Sequence, residues 1–284
     1  MKLVLGSVQL GMNYGILKNK KINSKEIKKI EQLVSSSKIQ FIDTAPSYGE
    51  SEKIIGKSKL KNLNIITKVK FDGKTNTNIQ EWVSKKISSS LKRLKVKKIY
   101  GLLIHDYKDI LGKNGKQYLF YLKELKKKKI INKIGLSIYD PKEIKKIWKF
   151  WKPDLVQVPL NPLDNRILDS KWINIFKKFK IKIYARSIFL QGILITDHKL
   201  PNINKNYINL LNKFKSWCYA NNISKLKACL HFVKQFKKID YLVVGFNNYN
   251  HLNEIITAFK EKQIIIPKDF FTNDLKMIDL RKWK

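Results

Sequence analysis

The chain has 284 residues, 43% of them hydrophobic, with 59 Lys and Arg against 22 Asp and Glu for a formal net charge of +37. That length and apolar content permit a large buried core, which excludes a disordered polyelectrolyte, and only two cysteines exclude a disulfide-stapled scaffold. No run of about 18 apolar residues occurs, so no membrane-spanning helix is expected.

The elements alternate from the start. A first strand is predicted at Leu3–Val8 and a helix near 24–37. Gln40-Phe41-Ile42 is a short apolar run that delivers Asp43 and, through a turn, Tyr48. After a helix near 50–58, Asn64–Thr67 leads into Lys68. Helical spacing of Ile79, Val83, Ile87, Leu91 and Leu94 predicts a helix near 77–94, and Tyr100–Ile104 then leads into His105. Further helices are expected near 115–128, 141–151, 169–179, 205–236 (in two pieces) and 250–261. They separate strands at Ile134–Ser137, Leu155–Val158, Ile181–Ala185 and Tyr241–Gly245. Residues after Pro267 are expected to pack as a tail on the outside. Short apolar strands bounded by turn residues fit a parallel sheet buried on both faces. Eight strand–helix units are the number that closes a (β/α)8 TIM barrel of about 250 residues, and no Gly, Ser or Pro linker divides the chain, so a single domain over 1–284 is expected.

In such a barrel the carboxyl ends of the strands carry the chemistry, and three of them lead into four such residues: Asp43 with Tyr48 close behind, Lys68, and His105. A phenol with an ordinary pKa of about 10 donates a proton near neutrality only if its phenolate is stabilised. An adjacent ammonium supplies that stabilisation, and a carboxylate holds the ammonium in place. A histidine can then hydrogen-bond to a carbonyl oxygen and polarise it. The set suits addition of hydride to a carbonyl. Each residue taken singly has an ordinary role too: Asp43 could cap a turn, Tyr48 and Lys68 could lie on the surface, and His105 could be structural. Met12, Asn13 and Tyr14, after the first strand, could line a substrate pocket or merely close the barrel. His198 and His231 lack partner spacing and are expected to be structural.

Asp43-Thr44-Ala45 with Tyr48-Gly49, then Thr67-Lys68, then Ile104-His105, resembles the catalytic tetrad of the aldo-keto reductase superfamily, and the likeness extends from Leu5-Gly6 to Glu254. The resemblance implies an oxidoreductase that reduces an aldehyde or ketone, with Tyr48 as proton donor, Asp43 and Lys68 tuning it and His105 placing the carbonyl. It implies NADPH as cofactor, NADH being possible, held at the nicotinamide end by Ser137 and Gln157. Ile138 stands where the family has an asparagine, and Arg186 where it has a stacking aromatic. Arg186, Ser187, Leu190 and Gly192 resemble the loop that wraps the pyrophosphate. Gly245, Asn247, His251 and Glu254 resemble the adenosine end, His251 taking the basic position and Glu254 the adenine contact. A short tail holding charged residues among Phe270, Phe271, Met277 and Trp283 suits an open, polar pocket and a sugar-derived carbonyl. The alternative is a non-enzymatic nicotinamide-binding regulatory module of the same fold.

The positive charge raises the question of nucleic acid. All but four of the basic residues are lysine, the exceptions being Arg93, Arg166, Arg186 and Arg281, whereas base and phosphate recognition draws on arginine. Lysine, asparagine and isoleucine share A/T-rich codons, so genome bias is the plainer cause and no specific nucleic-acid partner is expected. No spacing suits a metal site. With few cysteines and no secretory-type apolar run, a cytoplasmic location is expected.

Overall fold

In a computed structural model the chain is described over residues 1–16, 20–71, 78–198 and 205–282. Eight parallel strands, each paired with the next, close into a barrel: β1 (Lys2–Gly6), β2 (Phe41–Asp43), β3 (Asn64–Val69), β4 (Ile99–Ile104), β5 (Ile131–Ser137), β6 (Leu155–Pro159), β7 (Lys182–Arg186) and β8 (Tyr241–Val244), with β8 returning to β1. Helices fill the connections, among them Ser24–Ser36, Ile79–Leu94, Gly115–Lys127 and Tyr249–Lys260. The larger core lies between barrel and helices.

A strand side chain alternates sides with period two, and this alternation stratifies the barrel interior. Val4, Phe41, Ile66, Leu103, Leu155, Tyr184 and Val243 form an inner apolar cluster. Toward the amino ends of the strands it is completed by aromatic contacts. Tyr184 stacks on Tyr241 with ring centroids 4.2 Å apart, and Phe41 stands edge-on to Tyr100 at 5.1 Å and to Tyr241 at 5.0 Å. Two residues further along each of these strands the inward position is Gly6, Asp43, Lys68, His105, Gln157, Arg186 and Gly245. Ser137 holds the same place on β5, two residues past Gly135, where a Cβ would sit 2.5 Å from Leu103 Cδ2. One polar or backbone-exposing residue per strand thus lies directly above the apolar plug.

Element boundaries differ from expectation at informative places. The first strand stops at Gly6 rather than Val8, because the chain turns at Ser7 into a short helix, Val8–Gly11, with Leu10 N donating to Ser7 O at 3.0 Å. The predicted helix near 141–151 ends at Ile147, and that near 169–179 divides into Arg166–Asp169 and Trp172–Lys178. The two pieces predicted within 205–236 are Lys205–Ala220 and Lys225–Lys234, parted by left-handed Asn222 and recapped by Ser224, whose side chain accepts from Lys227 N. The start predicted near 77 and Trp283 lie outside the described residues. The tail is not only external packing: Phe270, Met277 and Ile278 are buried, and Arg281 reaches the barrel mouth. His231 is structural as expected, its ring nitrogens meeting Ala258 O at 2.9 Å and Ile264 N at 3.0 Å. No described helix is long and apolar enough to cross a membrane.

Candidate active site

A cavity of about 380 Å³ opens above the apolar plug, and all eight residues of the upper layer line it. At its floor Lys68 Nζ donates to Asp43 Oδ2 at 2.6 Å and to Thr44 O at 3.0 Å, while Gln157 Nε2 donates to Asp43 Oδ1 at 2.8 Å. Asp43 and Lys68 are 4% and 2% exposed, so this is a buried ion pair with both carboxylate oxygens engaged. Burial alone would push the Lys68 ammonium down, but the Asp43 carboxylate and Tyr48 carry it above the ordinary lysine value. The lysine therefore stays charged. Its Nζ lies 4.9 Å from the centroid of the Tyr48 ring.

Asp43 and Lys68 lie on strands and His105 directly follows β4, whereas Tyr48 stands further out, in the loop beyond β2. Its loop is fixed by contact with the helical turn at Val8–Gly11. A Cβ on Gly11 would lie 1.9 Å from Tyr48 O and 2.3 Å from Ser51 N, so only glycine lets the two backbones meet. Gly49 takes a left-handed φ of 57° to complete the bend. Below it, Ser51 Oγ lies 2.9 Å from Ser7 O and 2.7 Å from Ser7 Oγ, and Glu52 accepts from Thr67 Oγ1 at 2.7 Å while Arg93 holds its other oxygen at 2.7 Å. The Tyr48 loop is thereby tied to β1, and through Thr67 to the strand bearing Lys68.

His105 completes the set. Burial first, then the Lys68 and Arg186 charges, push its imidazole down to about 4, so near neutrality it is uncharged and can donate one hydrogen bond to an oxygen without repelling Lys68. Tyr14 shares the cavity, and burial together with Tyr48 pushes its phenol up to about 12. Histidines matter for acid stability as well. The unfolded chain binds a proton on each near the usual 6.5, but His105 folded does so only near about 4, and burial likewise lowers His231 and His251. Between those values the unfolded state holds more protons, so stability is complete above pH 6.5 and is lost as pH falls through the window. Urea midpoints at pH 7.5, 6 and 5 should decline in that order, and less steeply in His105→Asn; a flat series would refute the sign.

The remaining expected residues divide. Ser137, Gln157, Arg186, Ser187, Gly192, Gly245, Asn247, His251 and Tyr14 line the cavity. Met12, half-exposed, and Leu190, wholly buried, do not. Glu254 is exposed on helix Tyr249–Lys260 and faces a separate shallow groove with Lys227 and Asn250. Gln9, Tyr139, Gln191 and Arg281 line the cavity without having been expected. Gln9 lies beyond the true end of β1. Arg281 carried a usable signal, being one of four arginines in a lysine-rich chain.

A dinucleotide fits this lining. Gln9 Oε1 and His251 Nε2 are buried without a hydrogen-bond partner, and a Cβ on Gly245 would crowd Gln9 Nε2 at 2.8 Å. His251 Nδ1 accepts from Asn247 N at 3.3 Å, which leaves the proton on Nε2 as a neutral donor. Between Ser187 and Gly192 the backbone takes positive φ at Ser187, Leu190, Gln191 and Gly192, a costly sequence for residues other than glycine that marks ligand-binding turns. Ile16 N donates to Gln191 O at 3.0 Å, joining this loop to the one after β1. No His, Cys, Asp or Glu cluster among the described residues could hold a metal ion.

The family model described as Aldo/keto reductase family matches residues 2–267. Among solved structures, aldo-keto reductase AKR11C1 from Bacillus halodurans in its holo form superposes with a TM-score of 0.73 at 17% identity, over 93% of this chain and 88% of that one. The glycerol dehydrogenase AKR11B4 from Gluconobacter oxydans does so with a TM-score of 0.70 at 18% identity, over 93% and 87%. At these identities the superpositions speak for the fold. No curated protein matches the sequence.

Proposed function

Because the chain belongs to the aldo/keto reductase family, and so to oxidoreductases that use nicotinamide cofactors on carbonyl groups, we propose that Tyr48 is its proton donor and that it reduces a polar, sugar-derived aldehyde or ketone with NADPH. The observation that carries this is the buried Asp43–Lys68 pair, with the ammonium 4.9 Å from the Tyr48 ring on the floor of the cavity that the carboxyl ends of the strands line. When bound, the cofactor supplies hydride to the carbonyl carbon and is left oxidised. The protein's part is the oxygen. Neutral His105 donates a hydrogen bond that orients it, Tyr48 Oη hands over its proton, and Lys68 stabilises the phenolate left behind, with Asp43 holding the lysine charged and immobile.

Ser137 and Gln157 would hold the nicotinamide end. Gln157 can do so with Oε1, since its Nε2 is committed to Asp43. Ser187, Gly192, Gly245, Asn247 and His251 would hold the rest. NADPH is favoured over NADH by the field of a chain with net charge +37. Leu190 would contribute its backbone, and Glu254 and Met12 would act, if at all, from outside the cavity.

Purified protein with NADPH and a panel of small aldehydes, ketones and sugars should consume cofactor, faster than with NADH. Tight cofactor binding without turnover on any carbonyl would remove the reductase assignment and leave a regulatory module.

A further inference from the structure

Segment 43–52 carries Tyr48 and is pinned at both ends to consecutive residues of one strand. At its start Asp43 Oδ2 accepts from Lys68 Nζ at 2.6 Å, and at its end Glu52 Oε1 accepts from Thr67 Oγ1 at 2.7 Å. Neighbouring side chains leave a strand on opposite sides. Lys68 is therefore met inside the barrel and Thr67 outside it, toward helix Ser51–Lys57. Glu52 is 1% exposed, Thr67 is fully buried, and neither lines the cavity. The second Glu52 oxygen lies 2.7 Å from both Nε and Nη2 of Arg93, and Nη2 also donates to Ser90 Oγ at 3.1 Å.

Stability does not account for a charge in this place. A buried ion pair recovers little beyond its own desolvation, and apolar residues of similar volume often serve a fold as well or better. Nor do the helices need it in order to meet. Gly56 already brings helix Ser51–Lys57 onto helix Ile79–Leu94, since a Cβ there would lie 2.2 Å from Arg93 O. What the carboxylate adds is direction: charge-assisted bonds from a strand hydroxyl and a guanidinium fix where along β3 the helix begins. The Tyr48 carbonyl accepts from Ser51 N at 3.1 Å, so the start of this helix is also the end of the Tyr48 bend. A small slip of the helix would carry the phenol off the Lys68 ammonium, now 4.9 Å from the ring centroid.

We propose that Glu52 is a positioning residue for proton transfer: by holding Thr67 from outside the barrel wall, it sets the Tyr48 ring against the ammonium that Asp43 holds from inside. This rests on Tyr48 as proton donor and goes beyond it, giving the placement of that phenol to a carboxylate remote from substrate and cofactor.

The test uses Thr67→Val, which removes the hydroxyl and keeps the shape, and Thr67→Ser, which restores the hydroxyl. With the best-reduced carbonyl of the panel, kcat per NADPH-binding site should fall about tenfold or more in Thr67→Val, since a misplacement of about 1 Å can cost about 10²-fold, while NADPH affinity stays unchanged. The solvent deuterium isotope effect on kcat should rise, because a misplaced acid slows the proton step relative to the others. Thr67→Ser should behave as the wild type in both. A second readout needs no turnover. In protein with tyrosine ¹³C-labelled at Cζ, the Tyr48 resonance is identified by its loss in Tyr48→Phe; Thr67→Val should shift it as the ring leaves the ammonium, and Thr67→Ser should not. Wild-type kcat, isotope effect and Tyr48 resonance in Thr67→Val, whatever its loss of stability, would overturn the proposal and leave Glu52 a structural residue. Equal shifts in Thr67→Val and Thr67→Ser would overturn it too. A wild type that reduces no carbonyl would remove the reductase reading, and the resonance would still decide what places Tyr48. Should Thr67→Val fail to fold, Arg93→Gln, altered at a side chain 31% exposed, is judged by the same two measurements.

Discussion

Tyr48→Phe should lower kcat for carbonyl reduction by about 10²–10⁴-fold, the usual contribution of a positioned general acid, with cofactor affinity nearly unchanged. The substitution removes one oxygen and leaves the ring in the place set by Gly11 and Gly49, so the loop has no cause to move. Hydride can still be positioned, but the developing alkoxide finds no proton. The nearest substitute is Tyr14, which interacts with Tyr48 in the same cavity. Its phenol is pushed up to about 12 by burial and by Tyr48, so it is a poor acid near neutrality. Stopped-flow measurement of the hydride-transfer step would separate chemistry from release. A variant reacting at the wild-type rate would show that the proton comes from elsewhere, and the double variant Tyr14→Phe/Tyr48→Phe would then identify the source.

Lys68→Met should be costly in a second way. It strips the ammonium from a pair in which both partners are nearly inaccessible, leaving the Asp43 carboxylate with only Gln157 Nε2 at 2.8 Å as a polar neighbour among the contacts described above. Removing one partner of a buried pair typically destabilises by about 3–5 kcal/mol, a large share of a domain's usual margin of about 5–15 kcal/mol. Activity should be lost together with stability. Adding Asp43→Asn separates the two: the double variant should regain much of its stability, because no buried charge remains, and none of its activity, because nothing stabilises the phenolate. Denaturation midpoints and turnover on the same preparations would decide. A Lys68→Met protein as stable as the wild type would mean that water reaches the floor of the cavity and that the pair is not buried in solution.

The tetrad was readable in the sequence because it obeys the simplest rule of a strand. Asp43, Lys68 and His105 each stand two residues beyond Phe41, Ile66 and Leu103, whose inward direction a closed barrel dictates, and Ser137 and Gln157 follow the same parity. Tyr48 required more, since its position depends on the backbone approach of Gly11 to a loop some forty residues distant in sequence, which no local pattern announces. Tyr139 and Arg281 were missed for the same reason, one being a loop residue just beyond β5 and the other arriving from a tail that periodicity does not describe. Glu254 is the converse case. Resemblance places it at the adenine, and its neighbours Leu252, Ile255 and Ile256 take the buried face of their helix and turn Glu254 to solvent, outside the cavity. The lysine run ending helix Gly115–Lys127 is not uniform, Lys126 holding Asp154 at 2.6 Å just ahead of β6 while Lys127 reaches Glu124 of its own helix.

The aromatic plug has a bearing on traffic through the molecule. Phe41, Tyr100, Tyr184 and Tyr241 pack against one another across the amino end of the barrel, and among the described residues the cavity lies on the far side of them. A ligand seated on the plug therefore meets solvent on the carboxyl side of the strands, where the loops and the Arg281 tail lie.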